Sequence, residues 1–148
     1  KLMNELDYRN AATAIKNQQF VVEADQLILR NGQNVFVNSG TNFLLVNKEK
    51  GTVQVAFNTA LSGPNGIGGI TVDGGISGMK TETDKHGNIN CSFSIQGAGI
   101  SAQIFVKLYY GSNEANVTIS PNFNSNDLSM SGELVSIDDS TIFKGYAY

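Results

Sequence analysis

From Phe20 onward the apolar residues of this chain recur at every second position, and a chain with that period has few folds open to it. Phe20, Val22 and Ala24 alternate with other residues, Leu27-Ile28-Leu29 follows, and the pair Asn31-Gly32 offers a tight turn before Val35-Phe36-Val37. Phe43 to Val46 and Thr52 to Phe57 flank Asn47-Lys48-Glu49-Lys50-Gly51, which reads as a second hairpin with Gly51 in the left-handed loop position. Ile76 to Thr83 and Ile89 to Gln96 bracket Asp84-Lys85-His86-Gly87-Asn88, the composition of a type I turn closed by a glycine bulge. Ala102, Ile104, Val106, Leu108 and Tyr110 then alternate with Gln103, Phe105, Lys107 and Tyr109. Ala115, Val117 and Ile119 mark another strand, Leu128, Met130 and Leu134 the next, and Thr141 to Tyr148 the last.

Before Phe20 the period is different. Tyr8, Ala11, Ala12 and Ile15 recur at helical spacing between about Asn4 and Gln19, a narrow stripe that would be marginal alone and must pack on a sheet. Parallel strands need crossover helices, and the sequence offers none between strands. The fold predicted is therefore α+β and mainly antiparallel: a sandwich or partly open barrel of about nine or ten strands with one N-terminal helix packed on the sheet. Residues 1–148 read as a single domain, 1–19 the helix and 20–148 the β body, at a length that buries about 68–70% of the unfolded surface.

Charge and reactive side chains exclude several functions. The net charge is −3 and the ten Lys and Arg are scattered, so nucleic acid is not an expected partner. No apolar run approaches the ~20 residues of a membrane-spanning helix. Only 16% of residues are charged, while Asn, Ser, Thr, Gln and Gly abound, a balance that points to an exported protein. Cys91 is the single cysteine, so no internal disulfide forms; it shares a face with Ile89, Phe93 and Ile95 and reads as a buried, inert thiol. His86 is the single histidine, in a turn beside Asp84. No usual zinc set is present, and no metal or cofactor is expected.

The densest local signal is glycine. Gly63-Pro64-Asn65-Gly66-Ile67-Gly68-Gly69-Ile70-Thr71-Val72-Asp73-Gly74-Gly75-Ile76-Ser77-Gly78 holds seven of the sixteen Gly. Asn65, Gly66, Gly68, Gly69, Asp73 and Gly74 are read as a structural motif, a wide bend or bulge where backbone passes close to backbone. It lacks the Lys-Ser/Thr of a phosphate-binding loop. Gly97-Ala98-Gly99-Ile100-Ser101-Ala102 fits a dinucleotide fingerprint in letters, but a strand pattern rather than a helix follows. Asn122, Asn124, Asn126 and Glu133 have calcium-loop spacing, yet Asp127 stands where the turn needs glycine. Asn116-Val117-Thr118 is a glycosylation sequon inside a predicted strand.

One strand is apolar on both sides, because Phe105 and Tyr109 oppose the inward set Ile104, Val106 and Leu108. Either the N-terminal helix or a neighbouring sheet covers these two aromatics, or they form an exposed patch for a ligand or partner, extended by Tyr146 and Tyr148.

Asn65-Gly66-Ile67-Gly68-Gly69-Ile70-Thr71-Val72-Asp73-Gly74 follows Val53-Gln54-Val55-Ala56 and precedes the third hairpin. With Ala14 to Val22, Leu128 to Leu134 and Phe143-Lys144-Gly145, this pattern resembles the bacterial family called domain of unknown function 4251. The resemblance implies a small exported domain of gut-type bacteria, made with a signal or lipoprotein leader, with no assigned activity or catalytic residues. The expected function is thus a non-enzymatic, extracytoplasmic binding or interaction module of the periplasm or cell envelope, with an unknown protein or small apolar ligand as partner. A barrel-like carrier of a small apolar ligand or lipid, lined by Phe57, Phe93, Ile104 and Tyr110, is the alternative. A hydrolase joining Asp73 or Asp84 to His86 is the third.

Overall fold

The alternation closes on itself. A computed structural model describes residues 2–28, 34–58, 67–122 and 127–140. It places one helix, α1 (Leu2–Lys16), before β1 (Gln19–Ile28), β2 (Asn34–Phe36), β3 (Phe43–Asn47), β4 (Lys50–Asn58), β5 (Ile67–Thr83), β6 (Ile89–Gln96), β7 (Ser101–Leu108), β8 (Glu114–Pro121) and β9 (Leu128–Ser136), with one 3-10 turn at Ile137–Asp139. All the pairings are antiparallel, in the order β2-β1-β3-β4-β5-β6-β7-β8-β9, and β9 returns to β1. Eight strands therefore form a closed barrel, and β2 is an extra strand on the far half of β1. Of the two predicted architectures the barrel is the one formed, shut by β1–β9 pairing from Phe20↔Ser136 to Ile28↔Ser129.

An eight-stranded barrel is just wide enough for its own side chains to fill. Phe20, Phe93, Leu27, Ile104, Leu108, Met130 and Leu134 are among the side chains exposed by less than 2% that fill it. The same buried cluster takes in Ala11, Ala14 and Ile15, spaced along one face of α1. The chain leaves α1 into β1, while Tyr8 reaches the turn between β5 and β6 on the opposite wall. The helix, about 22 Å long, thus lies across one end of the barrel and plugs it. It stops three residues earlier than the periodicity predicts on its C-terminal side, because Gln18 takes a left-handed φ of 57° and its carbonyl accepts the Lys48 N–H at 2.7 Å.

Two irregularities bend the walls. β1 carries a bulge between Ala24 and Gln26, beyond which it leaves β3 for β2 but keeps β9. β5 pairs with β4 from Ile67 to Gly75 and with β6 from Gly75 to Thr83, with a bulge between Ser77 and Lys80. Glycine is required where these bends press strands together: a Cβ on Gly132 would overlap the Glu23 carbonyl, and one on Gly74 the Gln96 carbonyl. Gly68 and Gly69 pair in unbroken register with Phe57 and Ala56, so the bend lies further along than the glycine motif suggests. Asn65 and Gly66 lie outside the described residues.

Asn42 substitutes for a strand where β3 begins. It is fully buried; its carbonyl accepts the Ala24 N–H at 3.1 Å, its Oδ1 accepts the Ala56 N–H at 2.8 Å, and its Nδ2 donates to the Asn38 carbonyl at 3.0 Å. Here alternation fails: Phe43-Leu44-Leu45-Val46 is buried on both faces, and Val21, Phe43, Leu45 and Ile137 make a second cluster outside the barrel wall.

The three predicted hairpins are present, with one change of turn chemistry. The positive φ of the β3–β4 turn falls on Lys48, at 59°, and Gly51 is instead a buried strand residue facing Ile76 and Ile95. The turn residues 29–33 of the first hairpin and the proposed final strand, 141–148, lie outside the described residues.

Candidate functional site

The outward positions of β5 to β8 carry the side chains that the barrel does not use. On β7, Phe105, Lys107 and Tyr109 point away from Ile104, Val106 and Leu108. Phe105 is 49% exposed and Tyr109 37%, so neither the helix nor a second sheet covers them. α1 packs against β1 and β9 at the barrel end instead. Together with residues of the flanking strands they line a groove of about 590 Å³ on the outer wall.

Register orders this groove into rows. Phe105 stands between Ser92 of β6 and Thr118 of β8, and Lys80 of β5 is beyond Ser92. In the next row Lys107 stands between Asn90 and Asn116, and Glu82 is beyond Asn90. Adjacent strands are about 4.8 Å apart, so the side chains of a row are immediate neighbours. Lys107 Nζ sits 5.6 Å from the centroid of the Tyr109 ring, which holds the ammonium over that aromatic face. The Thr118 and Ser129 hydroxyls are 3.4 Å apart. Asn90, Ser92 and Asn116 make no side-chain hydrogen bond among the described residues.

The other candidates are distributed elsewhere. Tyr146 and Tyr148 lie outside the described residues. Tyr110, assigned to the inward face by alternation, is past the end of β7 and 63% exposed, its ring packed edge-on to Tyr8 at 5.1 Å. Phe93 and Ile104 are in the barrel interior, so Phe93, Ile104 and Tyr110 do not line one cavity. Asp84 and His86 occupy the β5–β6 turn, where the Asp84 carboxylate accepts the N–H of His86 at 2.8 Å and of Asn88 at 3.0 Å. Partial desolvation pushes the Asp84 carboxyl up, but the hydrogen bonds from Asn88 and His86 outweigh it and hold the group below its ordinary value. Asp73 is roughly 30 Å back along β5, hydrogen-bonded to the Thr52 hydroxyl at 2.8 Å. The described residues therefore do not unite Asp73 with His86.

Cys91 faces inward and is buried. Burial pushes its thiol up, against a weaker opposing contact from the Thr81 hydroxyl at 3.7 Å. Among the described residues no three His, Cys, Asp or Glu side chains come together as a metal-holding group. Gly97 to Ile100 form the β6–β7 turn, where a dinucleotide fingerprint would need a helix. No helix among the described residues is long and apolar enough to cross a membrane.

A family model described as Domain of unknown function (DUF4251) matches residues 3–134. The chain belongs to the DUF4251 family. The matched span takes in nearly all of the helix and every residue of the groove. A DUF4251 family protein from Bacteroides eggerthii DSM 20697, seen in a crystal structure, is 62% identical over 97% of either chain and has a TM-score of 0.90. No curated protein matches the chain.

Sequence reading singled out Phe105 and Tyr109, which are exposed on the outer wall, and passed over their neighbours. Lys80, Glu82, Asn90, Asn116 and Thr118 look like ordinary outward residues until strand register sets them beside the two aromatics. The signal available was the short β6–β7 turn, which by itself pairs Ser92 with Phe105.

Proposed function

We propose that this DUF4251 chain is a non-enzymatic binding module of the cell envelope, and that its ligand or partner occupies the groove over β5 to β8. The observation that carries this reading is the exposure of Phe105 and Tyr109 in one groove while the barrel interior is filled by its own side chains. Large aromatics left in water beside hydrogen-bonding groups are the usual makings of a contact surface. The envelope location is supported by the low charge and amide-rich, hydroxyl-rich composition.

The test compares the natural chain with a Phe105→Ala/Tyr109→Ala double variant, each tagged and recovered from envelope extracts. Mass spectrometry then identifies the lipid, saccharide or protein bound to each. Material retained by the natural chain and lost from an equally stable double variant supports the reading; identical material on both overturns it. Fractionation of cells expressing the full-length gene product tests the location, and recovery in the cytosol overturns it.

A further inference from the structure

We infer that the ligand of this groove is a saccharide, an assignment that rests on the binding reading above and names its chemical class. Four kinds of occupant are distinguishable by what they demand of a surface. A peptide added as a strand needs a free sheet edge. None is available in the groove, since each of β5 to β8 is paired with neighbours on both sides. A nucleic acid or an anionic lipid surface needs a field of cations. Lys80 and Lys107 here are accompanied by Glu82, on a chain of net charge −3. A lipid tail or other apolar ligand needs a continuous apolar lining. The apolar side chains of this outer wall are the rings of Phe105 and Tyr109, set among amides, hydroxyls and charges.

A sugar ring fits what remains. Its C–H faces are apolar and stack on aromatic rings, while its hydroxyls each donate and accept a hydrogen bond. Phe105 provides the ring face, and Ser92 and Thr118 place hydroxyls on either side of it. In the next row Asn90 and Asn116 offer amides that both donate and accept, matching hydroxyl groups rather than selecting a charge. Lys107 adds donors and Glu82 acceptors. The amides of Asn90 and Asn116 and the Ser92 hydroxyl are not engaged by other described side chains, so binding breaks no side-chain hydrogen bond at these positions. Phe105 and Tyr109 are four strand positions apart, about 13 Å, which suits an oligosaccharide rather than a single ring.

The experiment titrates the protein with soluble β-glucan, α-mannan and oligogalacturonate fragments up to roughly millimolar concentration. Amide chemical shifts and tyrosine emission, which no tryptophan obscures, are the readouts. At least one saccharide binds, shifting amides of β6 and β7, and Phe105→Ala, Tyr109→Ala and Asn116→Ala each weaken it about tenfold or more at unchanged melting temperature. Phe36→Ala, which removes a still more exposed aromatic on β2, leaves the affinity as it was. Absence of binding by all three saccharides, or equal binding by the Phe105 and Tyr109 variants, overturns the assignment. If envelope material still depends on Phe105 and Tyr109 while no saccharide binds, the binding reading stands and the saccharide class falls.

Discussion

The Tyr8 hydroxyl donates a 2.7 Å hydrogen bond to the carbonyl of Gly87, 79 residues further along the chain, and by doing so ties the helix to the opposite wall of the barrel. The contact is part-buried, and the Tyr8 ring also packs edge-on to Tyr110. Tyr8→Phe removes only the hydroxyl and is expected to cost about 1 kcal/mol. That corresponds to a fall in melting temperature of about 2–4 °C for a chain of this size. Tyr8→Ala loses the ring contact as well and costs more. Thermal melts of both variants check the order, and an unchanged melt for Tyr8→Ala would sink the account of the helix as a pinned plug.

Gly74 and Gly132 sit where a side chain would collide with rigid backbone. Gly132→Ala and Gly74→Ala are each expected to destabilise by at least about 3 kcal/mol, because neither the Glu23 nor the Gln96 carbonyl can swing aside. Gly99→Ala is the control: its φ is +80° but nothing lies within 4 Å of the added methyl, so the cost is the backbone conformation alone, about 1 kcal/mol. Urea denaturation of the three variants ranks them.

Asp84 makes the β5–β6 turn sensitive to acid. Its carboxyl is held below the ordinary value in the folded chain, so the folded state binds this proton less readily than the unfolded one. The stabilisation it brings is complete above the unfolded value of about 3.9 and is lost as pH falls through the folded value. Asp84→Asn should therefore melt below the natural protein at neutral pH, with the gap narrowing steadily below about pH 4. A gap that widens in acid contradicts the hydrogen bonds seen in the turn.

Cys91 behaves in the opposite sense. Its thiol is raised by burial, so the unfolded chain ionises first as pH climbs, and the folded state loses stability above about pH 8.5. Cys91→Ala should flatten that alkaline decline. In the folded protein Cys91 is expected to resist disulfide-exchange reagents at pH 8 until denaturant opens the barrel; immediate labelling would show that the inner wall is accessible.

Strands β5 to β9 were legible because alternation is a local property: whether Ile104 or Phe105 faces the core follows from its neighbours' polarity and the period of two. The Asp84–Asn88 turn was legible for the same reason, since its chemistry is contained in five consecutive residues. Tyr110 was misplaced because alternation says nothing about where a strand stops, and the bond from Tyr109 N–H to the Glu114 carbonyl closes a turn in which Tyr110 lies. The glycine stretch drew attention to the right strand and took in Gly74, without telling it apart from the other glycines of the motif. Gly74 is singled out by the Gln96 carbonyl on β6, a neighbour that composition does not reveal.

Taken alone, the order of polar and apolar residues determined that this chain makes antiparallel hairpins behind one helix, with Phe105 and Tyr109 on the outer side of a wall. Only the tertiary structure decided that the wall closes through β1 and β9, that the helix stoppers one end, and that lysine, glutamate, amides and hydroxyls gather around the two rings. The division has a physical cause. Side-chain polarity acts over a few residues and sets the period, whereas closure and register depend on contacts such as Val22 with Leu134, which a local pattern does not encode.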